Sequence, residues 1–240
     1  MRTAHDLGSL LDSRRRHVEQ YQDIVSIIAL TLGVSWASGI NLYAAMLTLG
    51  ALGAGGHVDL PQGLEILSDP LVIGAAGLMY AIEFFADKLP GVDSGWDSLH
   101  TLIRIPAGAV LAAGAVGEIG PAVQLAAAIV GGSLAAGTHF TKAGSRLLIN
   151  TSPEPVSNWA ASVAEDAAVV GGLWLALNHP FGFVCVLALS VAAMIWLLPK
   201  LWRAIGRAYR YLHQRISREP HLERCVEPDA VKSLPVPQGG

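Results

Sequence analysis

Ionisable side chains that could do chemistry gather at one end of each of four apolar runs. They form four groups along the chain, which are Glu83 with Asp87; Asp93, Asp97, His100 and Arg104; Lys142 with Arg146; and Glu165 with Asp166. Ionisable groups at membrane depth are costly, so they normally pair with one another or face a water-filled cavity. We expect ion pairs of Glu83 with Arg104 or Lys142, and of Asp166 with Arg146.

The stretch 137–146 predicts an anion site. Lys142 and Arg146 are four residues apart and therefore share one face of a helix. The small residues beside them would let a ligand approach the backbone, and hydroxyl groups would supply hydrogen bonds. The residues expected to contact a small anion or an anionic head group are Arg104, Lys142, Arg146, His139, Thr141 and Asn41, with Glu83, Asp87, Glu165 and Asp166 as proton relays or ion-pair partners.

A metal site is the competing interpretation of this region. Asp93, Asp97 and His100 would share one face of a helix, and oxygen-rich sites with one imidazole suit hard or borderline divalent cations. Against this, an isolated histidine is more often a hydrogen-bonding residue than a ligand. The sequence contains no GxSxG, P-loop or HExxH motif, and its two cysteines have no partners at metal-ligand spacing. We therefore expect no cofactor.

Six apolar runs must position these side chains. They span 24–56, 70–87, 101–119, 121–150, 159–177 and 180–198, and a spanning helix needs about 20 residues. The composition is 15% charged with a mean hydropathy of +0.45, whereas a soluble domain carries about 25% charged residues. The sequence therefore predicts an all-α polytopic membrane protein with about six transmembrane helices in a domain over 24–199.

Lysine and arginine residues alternate along this pattern. They precede the first run, lie between the second and third, end the fourth and follow the sixth, whereas the connections 57–69, 118–121 and 178–180 have none. Positively charged residues stay on the cytoplasmic side of a membrane. We expect a multi-pass protein of the bacterial inner (cytoplasmic) membrane with both termini in the cytoplasm. The segment 1–23 is polar and has no cleavable-signal pattern.

The long first and fourth runs predict two halves of three spans each. Because the number of spans per half is odd, the two halves would have opposite orientations in the membrane and form an inverted repeat. Ser38, Gly39 and Asn41 predict either a broken helix or a close packing patch, because Gly and Asn weaken helices. The fourth run loosely echoes this pattern at 136–140, so a break is expected there too. Pro106 disfavours helical geometry at the preceding residue, which predicts a helix starting at Pro106 and a separate segment over 96–105.

The terminal segments predict contacts with the membrane surface. The arm 1–23 could form an interfacial helix, and 200–218 predicts a basic amphipathic helix lying on anionic lipids. Nucleic acid is not an expected partner. The proline-rich segment 219–240 predicts a disordered tail. Small residues at helix-packing spacing would pack helices within one subunit or support a homo-oligomer.

Several separated motifs resemble one known family. They are the sequences at 83–90, 92–97 leading into His100, 104–109, 142–146, 150–155, 157–158 and 165–166. Over roughly 24–198 the chain resembles the bacterial integral-membrane family catalogued as domain-of-unknown-function family 4126. The resemblance implies a multi-span membrane protein and supplies no established activity. The family's motif residues coincide with the polar groups described above.

Three functional hypotheses follow. The leading one is a transporter or channel for a small anionic or phosphate-bearing solute or a lipid head group. The second is a membrane enzyme acting on lipid head groups at the cytoplasmic face, with His100 or an acidic residue as general base. The third is a membrane-embedded scaffold or assembly factor without a ligand.

Overall fold

The computed structural model describes residues 2–89, 92–117, 119–150 and 155–223, and this part of the chain is helical apart from short connections. The elements are α1 (Arg2–Ala54), a 3-10 helix (Gln62–Ser68), α2 (Pro70–Ala86), α3 (Val92–Ala115), α4 (Pro121–Ile149), α5 (Pro155–Asn178) and α6 (Pro180–Glu223). The predicted all-α class is confirmed.

The number of helices long and apolar enough to cross a membrane is close to the predicted six. Five helices are long and apolar enough to cross a membrane, and the 3-10 helix with α2 makes a sixth if this pair, bent by 70°, counts as one broken span. Proline at the first helical position begins α2 and α4, where its missing N–H costs no hydrogen bond. The chain is therefore a multi-pass helical membrane protein.

Helix α1 is broken at Asn41, as the sequence predicts. Asn41 has φ −147° and ψ 98° between two helical halves. Its Oδ1 accepts a hydrogen bond from the Ala44 N–H at 2.9 Å, which is the bond that an N-cap residue makes to start a helix. The packing interpretation also holds, since a methyl group on Gly39 would overlap the Thr138 hydroxyl and the Ala135 carbonyl.

The first half of α1 runs antiparallel to α3 and parallel to α6. Ser35 and Ser38 lie against the carbonyls of Gly108 and Arg104 on α3, at 3.5 and 3.2 Å. On α6, Gly33 packs against Phe183 and Trp36 donates to Ser190 at 3.1 Å. Later residues of α1 therefore contact earlier residues of α3 and later residues of α6, which gives the two helix directions.

The second half of α1 turns back toward the end of the bundle where the helix began. Leu47 packs against Gly77, and Gly50 lies against Ile73, so this half runs antiparallel to α2. The following 3-10 helix brings Gly63 onto the backbone of Gly114, which lies near the C-terminal end of α3. Helix α1 is therefore a hairpin of two half-helices whose turn lies inside the bundle.

This hairpin disagrees with the expectation that both termini lie at the same face. The first half of α1 and α6 run in the same direction, so Arg14 and Lys200 lie at opposite ends of the bundle. The expectation counted the first apolar run as one crossing, whereas the chain enters and returns within it. Which membrane face lies at each end stays a prediction.

The predicted breaks in the third and fourth helices are wrong. Helix α4 is continuous from Pro121 to Ile149, and Gly137 in its middle packs against Met194 instead of opening the helix. Helix α3 continues through Pro106. Its contacts with α4 on both sides of the proline, at Ile105 and Gly108, hold the helical path despite the lost hydrogen bond.

Two of the three helix pairs, α2 with α5 and α3 with α6, have the opposite directions that an inverted repeat requires, whereas the first half of α1 runs parallel to α4; the repeat itself stays a prediction. Tyr80 pairs with Asp166 and Lys88 with Ser162, so α2 and α5 are antiparallel. Helix α3 runs opposite to α4, and α4 runs with α6, as Gly144 against Leu201 follows Gly137 against Met194. Helices α3 and α6 are therefore antiparallel as well.

Two helices run across the predicted segment boundaries. Helix α1 already begins at Arg2 inside the arm 1–23, and α6 passes through 200–218 to Glu223. The remainder of the predicted tail, 224–240, lies outside the described residues. The division into arm, membrane domain, basic helix and tail stays a prediction.

Candidate functional site: a buried ion network

Three cations and four carboxylates from α2 to α5 form a connected set, which we call the ion network. Its members are Arg104, Lys142, Arg146, Glu83, Asp87, Asp97 and Glu165. All have side chains at most 3% exposed, apart from Glu165 at 19%. The polar groups that the sequence places at separate helix ends therefore meet inside the bundle.

Arg104 forms a sealed part of the network with Glu83 and Asp97. Its Nη2 donates to Glu83 and its Nη1 to Asp97 at 3.0 Å, which confirms the predicted pair with Glu83. Its Nη1 also lies 3.3 Å from His139 Nδ1, and His139 Nε2 lies 2.7 Å from the Thr101 hydroxyl. The Thr101 hydroxyl donates to a backbone carbonyl, so these contacts suit a neutral His139 that accepts from Arg104 and donates to Thr101.

Lys142 lies at the centre of the network. Its Nζ is 2.9 Å from Asp87, 3.4 Å from Glu165, 3.5 Å from Glu83 and 3.7 Å from Asp97. An ammonium group has three N–H donors, so four carboxylates cannot all receive one from it. Lys142 is therefore surrounded by more negative charge than it can satisfy.

Arg146 holds Glu165 with two hydrogen bonds. Its Nε and Nη2 donate to the two carboxylate oxygens at 3.1 and 2.7 Å, and its Nη1 donates to the carbonyls of Asp87 and Asn158. The predicted pair of Asp166 with Arg146 is wrong. Consecutive helix residues point in different directions, and Asp166 instead accepts from Asn41 at 2.9 Å and Tyr80 at 3.1 Å.

The network carries one negative charge more than it carries positive charges when every member is ionised. The excess shows in hydrogen bonding, because one oxygen each of Glu83, Asp87 and Asp97 is buried with no hydrogen-bond partner among the described residues. Buried polar atoms are normally satisfied, and exceptions call for an explanation. One donor of the network, Arg104 Nε, is also buried with no partner among the described residues, so the network leaves three acceptors and one donor unsatisfied.

A cavity of about 340 Å³ borders one side of the network. It lies between α1, α4, α5 and α6. Lys142 and Glu165 line it together with Thr141 and Ser145, and the remaining wall is mostly apolar, formed by Trp36, Ile40, Thr138, Ala164, Ala168, Ser190, Ala193, Met194 and Leu197. The cavity thus has a charged end and apolar walls.

Some predicted contact residues lie away from this cavity. Arg104, Arg146 and His139 belong to the network or touch it but do not line the cavity, whereas Thr141 does. Asn41 binds Asp166 and no network residue among its described bonds. Sequence reasoning missed Tyr80 and Trp36, because an aromatic side chain in an apolar run is indistinguishable from one that faces lipid.

The described part of the predicted metal site does not come together. His100 Nδ1 faces the Trp96 carbonyl at 2.9 Å and its Nε2 faces the Tyr43 hydroxyl at 3.2 Å, while Asp97 binds Arg104. Among the residues that the structure describes, no three His, Cys, Asp or Glu side chains are grouped to hold a metal ion. The side chain of Asp93 lies outside the described residues. His100 does not line the cavity either, so a ligand there would not meet it as a general base.

Lys88 lies just beyond α2, near the network. Its Nζ donates to the Phe84 carbonyl at 2.9 Å and lies 3.4 Å from the Ser162 hydroxyl. Burial lowers the pKa of Lys88, and the nearby carboxylates of Asp166 and Asp87 oppose this. Lys88 is therefore held by neutral acceptors more than by ion pairs.

The fold and the site define a multi-pass helical membrane protein with an ion network buried between its spans. Residues 28–200 match the model of one family, whose description is a domain of unknown function (DUF4126), and the chain belongs to that family. The matched range contains every member of the ion network. No curated protein and no solved structure matches the chain.

Proposed function

We propose that the protein is a membrane transporter for a small anionic, phosphate-bearing solute. The observation that carries this proposal is the Lys142–Glu165 ion pair at the charged end of a cavity within the membrane domain. Ionisable residues inside membranes generally mark the path of a substrate or ion. The break in α1 at Asn41 adds support, because discontinuous helices commonly build the substrate sites of secondary transporters.

Lys142 is the group that an entering anion would meet. Of the described residues that line the cavity, it is the one cation, and Arg146 lies directly behind Glu165. The hydroxyls of Thr141 and Ser145 line the same end of the cavity and donate to carbonyls of their own helix. Each hydroxyl could therefore donate to a bound anion only after it rotates away from its carbonyl. An anion that takes the position of the Glu165 carboxylate would reach both cations.

The cavity could bind a phosphate group from either of two kinds of molecule, a free solute or the head group of an amphiphile. A free solute would occupy only the charged end, whereas the head of an amphiphile would also place its alkyl chains against Met194 and Leu197. Dimethyl phosphate and dihexyl phosphate distinguish these two kinds of molecule, since they share a singly charged head and differ in apolar area. Burying each additional CH₂ group would add about 0.8 kcal/mol to binding.

The test is binding and proteoliposome uptake of the two labelled phosphate diesters. We expect the wild-type protein to bind and move at least one of them, and Lys142→Gln to lose both activities. Lys200→Gln is the matched control, because Lys200 is an exposed lysine on α6 that lies over the Trp196 ring, outside the cavity. Equal uptake by wild type and Lys142→Gln would contradict the anion assignment.

A structural scaffold is the second candidate, and one observation favours it. All three network cations already have carboxylate partners, which is what a network serving only to hold helices together requires. In that case the wild-type protein would bind neither diester, and Lys142→Gln would only lower the melting temperature.

The orientation and the lipid partner belong to the same proposal. Lys88, Lys142 and Lys200 lie toward the network end of the bundle, so the positive-inside rule favours a cytoplasmic position for that end. Arg14 lies toward the other end and weighs against this. On α6, Arg203, Arg207 and Arg210 are exposed along one face of the helix, which supports contact with anionic lipids. Location in the inner membrane and assembly into a homo-oligomer stay predictions.

A further inference from the structure

We propose that the proton is the coupling ion, and that Glu165 takes up one proton for each anion that binds beside Lys142. This inference rests on the proposed function, since it names the second species that the same site would carry. It follows from three properties of the network. Glu165 occupies the position that an anion needs, the network has a net negative charge, and Glu165 is the carboxylate most accessible from the cavity.

Glu165 occupies the position that an anion needs. Both of its carboxylate oxygens accept from Arg146, and one lies 3.4 Å from Lys142. These are the donors that an oxyanion would use, in the bidentate geometry that arginine offers to carboxylates and phosphates alike. An anion therefore binds by displacing Glu165.

The charges of the network require that something compensates the new anion. With three cations and four carboxylates, the network already has one negative charge in excess. A monoanion would double that excess in a water-poor environment, where unpaired charge is costly. Protonation of one carboxylate removes this cost.

Glu165 is the carboxylate best placed to take the proton. It is the most exposed member of the network at 19%, whereas Glu83, Asp87 and Asp97 are at most 3% exposed, so a proton that enters through the cavity meets Glu165 first. Once displaced, it would face walls of α1 and α6 that, among the described residues, are lined by no charged side chain.

The charged groups packed around Glu165 come from three helical regions. Lys142 and Arg146 face it from α4, and Asp87 at the end of α2 shares both of these cations with it. From α3, Asp97 reaches the same site through Lys142. On α5 the neighbouring Asp166 points away to Asn41 and Tyr80. Displacement thus leaves Glu165 without a cation while other carboxylates remain, which favours the neutral acid.

The exchange balances. A monoanion enters and accepts hydrogen bonds from Lys142 and Arg146, and the Glu165 carboxylate leaves them. One proton from a hydronium ion of the aqueous phase, which becomes water, then forms a bond to a Glu165 oxygen. The site keeps its net charge, so one monoanion and one proton move together without net charge transfer.

The experiment measures the dissociation constant of dimethyl phosphate for the purified full chain as a function of pH, because this diester keeps one charge throughout the neutral range. Uptake of one proton on binding weakens binding by about tenfold for each unit of rise in pH, over the range in which the free site is ionised and the occupied site is protonated. We expect that slope for the wild type and, whatever its affinity, a flat profile for Glu165→Gln. Glu165→Asp should restore the slope, and Asp166→Asn, which changes the next carboxylate but not the network, should keep it.

The outcomes separate the two proposals. If the wild type binds and transports the diester with the same affinity at every pH, the proton coupling is wrong and the transporter proposal stands. If Glu165→Gln binds with the wild-type slope, another carboxylate takes the proton and the assignment to Glu165 is wrong. If neither dimethyl nor dihexyl phosphate binds at any pH, the transporter proposal fails and the inference fails with it.

Discussion

Two parts of the ion network have the same chemistry and different surroundings. The sealed part, Arg104 with Glu83, is fully buried, whereas the cavity part, Arg146 and Lys142 with Glu165, keeps a carboxylate that is 19% exposed. Both contain a guanidinium paired with a carboxylate. Only the second part contributes residues to the cavity wall, so stability is expected of the first part and the proposed ligand binding belongs to the second.

Helix packing creates this difference. Around Arg104, α1, α3 and α4 approach closely through small residues, for example Gly39 beside Thr138 and Gly108 beside Ala135. In lipid, small residues let helix backbones come together without a gap. On the other side, the cavity separates α4 from α5 next to Glu165. The following predictions test whether the two parts differ as described, beginning with the largest effect.

Arg104→Met should give the largest loss of stability. It leaves Glu83 and Asp97 buried with only Lys142 nearby, at 3.5 and 3.7 Å, and breaking a buried ion pair on one side typically costs about 3–5 kcal/mol. The melting temperature in detergent measures this, with Lys200→Met as the exposed control. The double variant Arg104→Met/Glu83→Gln should recover part of the loss. A single variant as stable as the control would show that the sealed part contributes little.

Gly39→Ala should give the next largest effect. The added methyl group would overlap Thr138 and the Ala135 carbonyl, and overpacking of this kind costs about 1–3 kcal/mol. Gly171→Ala is the matched control, because a methyl group there meets nothing within 4 Å. Equal melting temperatures for the two variants would mean that α1 and α4 are not packed closely at the sealed part.

Asn41→Ala should be less destabilising. It removes the cap of the second half of α1 and one hydrogen bond to Asp166, and loss of such a cap costs about 1 kcal/mol. Asn178→Ala, which loses only an exposed bond to its own helix, serves as the control. If both variants melt at the wild-type temperature, the capping role of Asn41 is wrong.

Glu165→Gln should have the smallest effect on stability. Arg146 keeps its backbone acceptors at Asp87 and Asn158, and an amide oxygen can still accept from it, so we expect a loss of about 0.5 kcal/mol. Thermal unfolding compares this variant directly with Arg104→Met. A loss as large as that of Arg104→Met would remove the distinction between the two parts of the network.

The sequence predicts the membrane class and most of the network, because both depend on local patterns. Charged residues at the ends of apolar runs must pair, so position predicted Glu83 with Arg104 or Lys142, and the structure places both cations at Glu83. The pairing of Arg146 was predicted with the wrong neighbour, Asp166 instead of Glu165, because position along the chain does not fix the rotation of α5 about its axis.

The hairpin of α1 shows what the sequence leaves open. Ser38, Gly39 and Asn41 predict a weak point, and the break is there. Nothing in that pattern says whether the chain continues across the membrane or returns, since the packing of Leu47 and Gly50 against α2 and of Gly63 against Gly114 decides it. The cavity was unpredictable for the same reason, as its walls come from four helices far apart in the chain.

Chemical labelling at Ser145 tests the division between sealed and cavity parts most directly. In a background without the native cysteines, Ser145→Cys places a thiol on the cavity wall and Ser35→Cys places one in the sealed contact with α3, where Ser35 is 0% exposed. We predict that a water-soluble thiol reagent modifies the first and not the second, and that dimethyl phosphate slows the modification. Equal protection of both thiols, or modification of Ser145→Cys that the diester does not change, would contradict a ligand-accessible site beside Lys142.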